Sequence, residues 1–425
     1  MVVAFIAWGL IGTSVFLAVF YLSLFSRNSQ AAEETPELRS TPSVAVLMPA
    51  YNEEGVVERA VENALSLDYP DYEVIFVDDG STDDTLEKAK QYTDDDRLRI
   101  IEHGENQGKA AALNTALAAT DAEYTVVQDA DSVIDQGTLE AALARFEADS
   151  DVGAVIASIR PLATDNFLRR LQSIEYRITN FYRSLMAHID IIDCTPGAFS
   201  MYRTADLKQL DGFDVGNLTE DLEIAWRLRR LGRRIDMVFH RSSNTEYPPT
   251  PRSLYRQRVT WARGSLRNAW KHRDMFFNSE HGWFGVFQLP VRLIAPMLAV
   301  VSLSLVAVGI AKQLYSVLLQ LTSVGLVLPT LQGFELGQAL LGMQWKVYIP
   351  LLLSLVVTAY LLRSAYRKAG DSIQYPGALA AFYFGYYILY GFFWSAAIIK
   401  ELLHTAKAWT PSTRPFSGQP SSPAS

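Results

Sequence analysis

Asp129 and Asp131 stand two positions apart behind the apolar, β-branched run at 124–128. Residues two apart on a strand point to the same side. The pair would therefore present two carboxylates together at a strand's carboxyl end, where open α/β sheets hold their ligands. Two such carboxylates repel unless a cation lies between them. Oxygen ligands suit Mg2+ or Mn2+, and an ion held by few protein oxygens keeps positions open for a substrate diphosphate. An isolated Asp-X-Asp is equally compatible with a solvated turn, so its neighbours decide. Acids recur after two earlier apolar runs: Glu53 and Glu54 follow 44–47, and Asp78 and Asp79 follow 73–77.

These runs belong to an alternating pattern. Strands are expected at 44–47, 73–77, 98–101, 124–128 and 152–159, with helices at 54–67, 82–92, 109–119 and 137–148 between them. Such alternation predicts an α/β fold with a mostly parallel, right-handed wound sheet. The first strand lacks a following Gly-X-Gly-X-X-Gly, which disfavours a dinucleotide fold. The stretch from Gly104 to Lys109 is one residue short of a P-loop, and Ala110 stands where that motif needs Ser or Thr. A row of carboxylates at consecutive strand ends instead suits a nucleotide-diphosphate site.

The chain of 425 residues has room for more than this domain. The first 26 residues carry no charged side chain, and the apolar run at 2–25 would extend about 36 Å as a helix, enough to cross a bilayer. Arg27 follows it, which places the soluble part in the cytosol by the positive-inside rule. Further apolar stretches are expected to span at 289–310, 347–362 and 378–399, with 318–331 as a re-entrant segment or fourth span. The expected organisation is an N-terminal transmembrane helix at 1–27, a linker at 28–42, a catalytic domain at 43–250, interfacial helices at 251–283, a transmembrane region at 284–408 and a disordered tail at 409–425. The net charge of −8 argues against nucleic acid as a partner. Cys194 is the lone cysteine, which rules out an internal disulfide and fits a reducing compartment.

Taken in order, Pro49-Ala50-Tyr51-Asn52-Glu53-Glu54, Val77-Asp78-Asp79-Gly80-Ser81-Thr82-Asp83, Asn106-Gln107-Gly108-Lys109 and Asp129-Ala130-Asp131 resemble the motifs of family 2 glycosyltransferases. The resemblance runs from about Val44 to Trp261. It implies a GT-A (Rossmann-like) fold and a nucleotide-diphosphate sugar donor. It further implies that Pro49, Tyr51, Glu53 and Asp79 line a uridine pocket with Asp78 close by. Lys109 and Ala130 would lie near the nucleotide sugar, and Asp129 and Asp131 would hold the metal.

The same resemblance assigns the acceptor side. Gly197 and Ala198 would border the acceptor sugar. In Leu218-Thr219-Glu220-Asp221, Asp221 would be the general base with Glu220 beside it, although Thr219 alone reads equally as a helix N-cap. One carboxylate suffices for an in-line displacement with inversion. Gln257-Arg258-Val259-Thr260-Trp261 resembles the Gln-X-X-Arg-Trp signature of processive synthases, with Gln257, Arg258 and Trp261 at the acceptor. Thr260 departs from that signature, where Arg is expected; Arg258 or Arg263 could supply the charge. Two amphipathic helices, one around 167–185 and one at 251–271, carry Arg and aromatic residues suited to a membrane interface.

The expected activity is therefore metal-dependent, inverting transfer from a UDP-sugar to a growing β-linked polysaccharide, coupled to export at the plasma membrane. The expected enzyme is multi-pass with a cytoplasmic catalytic domain, and accessory secretion subunits are one option as partners. Transfer of one sugar to a lipid acceptor, polyprenyl phosphate or diacylglycerol, is the first alternative. A non-catalytic nucleotide-binding membrane subunit is the second.

Overall fold

The computed structural model of the chain describes residues 2–28, 36–324, 345–368, 370 and 374–405. Parts of the expected linker, of the segment at 318–331 and of the C-terminal region, together with the whole tail at 409–425, lie outside the described residues.

Apolar strands build the centre. β1 (Val44–Ala50), β2 (Tyr72–Asp78), β3 (Leu98–Glu102) and β4 (Tyr124–Val127) pair in parallel in the order β3-β2-β1-β4. Being covered on both faces, β1 is buried along its whole length. Its alternate residues enter two cores. Ala45 and Leu47 pack with Leu113 of α4 (Lys109–Ala118) and Trp226 of α8 (Glu220–Arg230). Val46 and Met48 pack with Val57 and Val61 of α2 (Val57–Leu65) and with Leu139 and Leu143 of α5 (Thr138–Ala148). Each such buried aliphatic side chain contributes roughly 1.5–3 kcal/mol.

Register sets the rim. Ala50 lies opposite Asp78 and Leu47 opposite Val127, so the acids that follow each strand emerge at one edge. The sheet then departs from simple alternation. β7 (Ser200–Arg203) inserts antiparallel between β4 and β6 (Val152–Pro161). β8 (Arg234–Thr245) pairs in parallel with β6 and antiparallel with the three-residue β5 (Ser132–Ile134) that directly follows the aspartate pair. Neither β7 nor β8 is foreshadowed by the apolar pattern, because β7 is short and the second half of β8 is polar. A GT-A-like α/β architecture with a mostly parallel sheet results.

The short helices α3 (Thr85–Lys90) and α7 (Thr204–Gln209) complete this domain, and around it lie α6 (Phe167–Ala187), α9 (Pro251–Lys271) and the apolar helices α1 (Val2–Asn28), α10 (Leu289–Val324), α11 (Trp345–Lys368), α12 (Pro376–Ala381) and α13 (Tyr387–Thr405). The expected span at 289–310 is part of a longer helix. α10 runs without a break to Val324, so the described part of 318–331 continues the same helix. Two π-helical turns, Phe284–Gln288 and Phe382–Tyr386, lead into α10 and α13. Among the described residues, one helix, Phe284–Ser323, is long and apolar enough to cross a bilayer, and Ile11–Arg27 is a shorter apolar one.

Candidate active site

The strand-end loops are laced to one another. Beyond β1, the Asn52 amide donates to Ser81 Oγ (3.0 Å) and the Glu53 amide to Thr85 Oγ1 (2.7 Å). Beyond β2, Asp79 is buried and accepts from the amides of Gln107 (3.0 Å) and Gly108 (2.7 Å), with His103 Nδ1 at 2.8 Å. Its carboxylate thus anchors the turn that launches α4. Asp78 Oδ2 caps its own turn at the Ser81 amide (3.0 Å), while Asp78 Oδ1 is buried without a partner. An unpaired buried carboxylate oxygen is costly, and it suits the N–H of a base. Pro49 and Ala130 are buried beside these loops, and Tyr51 is half-buried.

Lys109, the first residue of α4, reaches acids from two other parts of the chain. Its Nζ lies 2.6 Å from Asp129 Oδ1 and 3.1 Å from Glu220 Oε1. Gly197 meets the same pair from the other side. The Asp129 amide donates to the Gly197 carbonyl (3.0 Å), and a Cβ on Gly197 would collide with Lys109 Nζ and lie 2.8 Å from both Asp129 carboxylate oxygens. Only glycine allows that approach. Asp131 Oδ1 accepts from Ser132 Oγ (3.0 Å) and Thr245 Oγ1 (3.1 Å), so β8 braces the second aspartate.

Charge in this cleft is unbalanced toward the acids. Burial, then Asp131 and Asp129, push the Glu53 carboxyl up to about 8. Burial and Asp129 raise Asp131 as well. Crowded carboxylates of this kind fit a divalent cation. Among the described residues, no group of three or more His, Cys, Asp or Glu side chains is arranged to hold a metal. Asp129 and Asp131 would therefore leave most of the roughly six positions of such an ion to substrate and water.

Asp221 lies behind Glu220 in the first turn of α8. Its Oδ1 accepts from the Leu222 amide (2.8 Å), Cys194 Sγ lies 3.6 Å from Oδ2, and its carbonyl accepts from Thr195 Oγ1 (2.8 Å). Burial and then Glu220 raise its pKa, and Lys109 offsets only part of this. Thr219 makes no side-chain cap to α8. Its Oγ1 instead accepts from Asn268 of α9 (3.1 Å), and a Cβ on Gly264 would collide with it. α9 therefore leans directly on the residue before the two acids. Trp261 lies one helical turn before Gly264 and stays 37% exposed. Ala198, next to Gly197, packs with Tyr247, and its carbonyl accepts from Ser243 Oγ (2.8 Å).

Both arginines considered for the missing signature charge already pair with an acid, while Arg258 Nε and Arg263 Nη2 are buried without a partner among the described residues. Arg258 binds Glu175 of α6 (2.7 Å) and Gln257 (3.1 Å), with its guanidinium 4.3 Å from the centre of the Trp261 ring. Arg263 binds Glu401 of α13 (2.5 Å). The bracing roles of Thr245, Ser243, Thr219 and Gly264 have no signal in the sequence, apart from the spacing of Trp261, Gly264 and Asn268 along one face of α9.

Residues 45–210 match the family described as glycosyl transferase family 2. The chain is 29% identical over 239 residues to a poly-β-1,6-N-acetyl-D-glucosamine synthase of Staphylococcus epidermidis, covering 55% of this chain and 58% of that protein. Against the protein of the same name from Staphylococcus aureus strain MSSA476 the figures are 27% over 246 residues, 58% and 60%. The matched region thus spans about three fifths of these relatives. In structure, the chain resembles a mannosyltransferase from Pyrobaculum calidifontis solved with GDP-Man and Mn2+, with a TM-score of 0.54 and 23% identity over 73% of this chain and 92% of that one. Glu220, Asp221 and Trp261 lie beyond the matched residues, while all the strand-end acids lie within them. The chain carries a glycosyl transferase family 2 domain at residues 45–210.

Proposed function

We propose that this chain is an inverting glycosyltransferase that moves a sugar from a UDP-sugar to a growing β-linked polysaccharide. One observation carries the proposal: Lys109 bridges Asp129, of the aspartate pair, and Glu220, the neighbour of Asp221. Donor-side and acceptor-side acids therefore face one small volume. A Mg2+ or Mn2+ ion held by Asp129 and Asp131 would neutralise the departing diphosphate. Asp221 takes the proton of the acceptor hydroxyl as it attacks, and its raised pKa brings it nearer the working pH of a general base. Lys109 adds positive charge between the two groups. The free Oδ1 of Asp78 accepts from the uracil ring, and Pro49, Tyr51, Glu53 and Asp79 shape the pocket around it. With base and leaving group on opposite faces of the anomeric carbon, an α-linked donor gives a β-linkage in one step.

The Staphylococcus relatives make UDP-N-acetylglucosamine the first donor to test. Phe284–Ser323, together with α1, α11 and α13, would place the enzyme in the plasma membrane as a multi-pass protein with the catalytic domain in the cytoplasm. Gly197, Ala198, Gln257, Arg258 and Trp261 would then guide the acceptor toward an export path between the helices. A second reading, one sugar to a lipid acceptor, is favoured by Thr260 together with the engagement of Arg258 and Arg263 elsewhere. Purified protein given UDP-sugars and Mg2+ decides between them: a ladder of products supports the synthase, and one lipid-linked sugar supports the alternative. Absence of any sugar transfer overturns both.

A further inference from the structure

Two carboxylates without a part in the proposed chemistry sit where the catalytic domain meets the apolar helices: Asp193 is buried and Glu175 is half-buried. Asp193, between α6 and β7, accepts from Gln288 Nε2 (3.0 Å) and from Arg292 Nη1. Glu175, on α6, accepts from Arg258 Nη2 (2.7 Å) and from the Tyr386 hydroxyl (2.5 Å). The two sites share a plan. Each joins a catalytic-domain acid to an arginine of a following helix and to the last residue of a π-helical turn, Gln288 or Tyr386. π-turns are rare and concentrate at functional sites. Burying charge is unfavourable against an apolar contact of the same size, so a retained ion pair points to a need for a fixed geometry.

What the pairs touch identifies that geometry. The Asp193 carbonyl accepts from Trp226 Nε1 of α8 (3.1 Å), and the next two residues, Cys194 and Thr195, are those that hold Asp221. Arg292 also donates to Ser265 of α9 (3.3 Å), one turn after Trp261. In the other pair, Arg258 stacks on Trp261 itself. The partners of Asp78, Asp79 and Asp131 lie elsewhere, on the strand-end loops and β8.

We propose that Asp193 and Glu175 are positioning residues that fix Asp221 and Trp261 relative to the apolar helices, and so set the acceptor half of the site while leaving the donor half alone. This rests on the reading of Asp221 as base and Trp261 as acceptor platform.

The test uses the full chain in detergent or nanodiscs, with D193N and E175Q as the main variants. Q288L removes one hydrogen bond to Asp193, and Y386F removes the hydroxyl that engages Glu175 and Arg258. The expected result for D193N and E175Q is a fall in kcat for sugar transfer of about tenfold or more, since a small misplacement of reacting groups is enough. Q288L and Y386F should lose about three- to tenfold. UDP affinity should stay within about twofold, and a larger share of consumed donor should end as free sugar. A merely structural role would instead lower UDP affinity and melting temperature in step with kcat, and that result overturns the proposal. So does wild-type transfer in folded variants. Should D193N and E175Q fail to fold, Q288L and Y386F decide by the same criteria. A wild-type protein that binds UDP but transfers nothing overturns the proposed function instead, which separates the two failures.

Discussion

On the rim proposed to hold the donor, Asp78 ends a parallel strand and Asp79 and Asp129 lie just beyond one, and backbone amides do much of the holding: Gln107 and Gly108 on Asp79, Ser81 on Asp78. On the face proposed to take the acceptor, side chains from remote parts of the chain hold one another. Lys109 meets Glu220, Asn268 meets Thr219, and Arg258 meets Glu175. Amides in a strand-end loop are fixed once the sheet forms. Side-chain pairs depend on helices arriving in the right place and on the protonation of the acids. The donor rim should therefore tolerate change on the helices, and the acceptor face should not.

The largest test of that difference is Asp221→Asn. An amide keeps the shape but cannot take a proton, so transfer should drop by about 10²- to 10⁴-fold. UDP binding, proposed for the other rim, should barely move. Parallel kinetics and calorimetry check both. Equal losses in the two would merge the two halves into one and undo the assignment of Asp221. The wild-type rate should also decline toward acid pH with a midpoint above the usual aspartate range, because burial and Glu220 raise the Asp221 pKa and only its ionised form is a base.

Acid should loosen the acceptor face through Glu223 as well. This carboxylate, buried in α8, binds Arg227 (2.7 Å), Lys271 of α9 (2.5 Å) and His272 (3.2 Å). Burial works against its charge, but His272, Lys271 and Arg227 outweigh it and bring the pKa from 4.5 down to about 2. A depressed carboxylate stabilises the fold fully above its ordinary value, and that contribution is lost as pH falls from about 4.5 through about 2. The drop amounts to about 3 kcal/mol at 1.36 kcal/mol per unit. Denaturant melts across that window should show a shallower acid loss in Glu223→Gln than in wild type, the remainder coming from other depressed carboxylates such as Asp193 and Asp214.

On the donor rim the corresponding lever is the metal. Chelation, or Asp131→Asn, should weaken UDP binding by about 10- to 100-fold and stop transfer, with Mg2+ or Mn2+ restoring the chelated enzyme. UDP affinity indifferent to chelation would remove the metal role from Asp129 and Asp131.

The same contrast explains what could be read from the chain. The donor rim is written in contiguous segments: an apolar run followed at once by its acids, so strands β1, β2 and β4 and the residues after them were legible. The Thr-Glu-Asp triplet that singles out Asp221 is contiguous in the same way. Partners were not. Nothing near Asp79 announces that Gln107 and Gly108 occupy its carboxylate, and nothing near Arg258 announces Glu175, 83 residues earlier. β7 and the polar half of β8 gain their place from the sheet rather than from their own pattern. Arg258 and Arg263 were legible as carriers of the charge that Thr260 lacks, but their acid partners on distant helices, Glu175 and Glu401, were not.

The smallest expected effect probes the seam between the halves. Gly264 faces Thr219, and an added methyl would overlap the Thr219 side chain. Thr219 is buried and tied to Asn268 and, through its amide, to Asn217 Oδ1 (3.1 Å), so it can yield only by a small shift of the α8 start. Gly264→Ala should cost about 1 kcal/mol of strain, the low end for overpacking, even though alanine favours a helix interior. That shift moves Glu220 and Asp221 but leaves Asp129 and Asp131 braced by Gly197 and β8. Transfer should therefore fall about fivefold while UDP affinity and metal dependence stay at wild-type values. A second change, Thr219→Ala, removes both atoms nearest the added methyl, Oγ1 and Cγ2, so the double variant should recover part of the loss. If the double variant is no faster than Gly264→Ala, the contact is not what couples α9 to the base, and the acceptor face is held by its ion pairs alone.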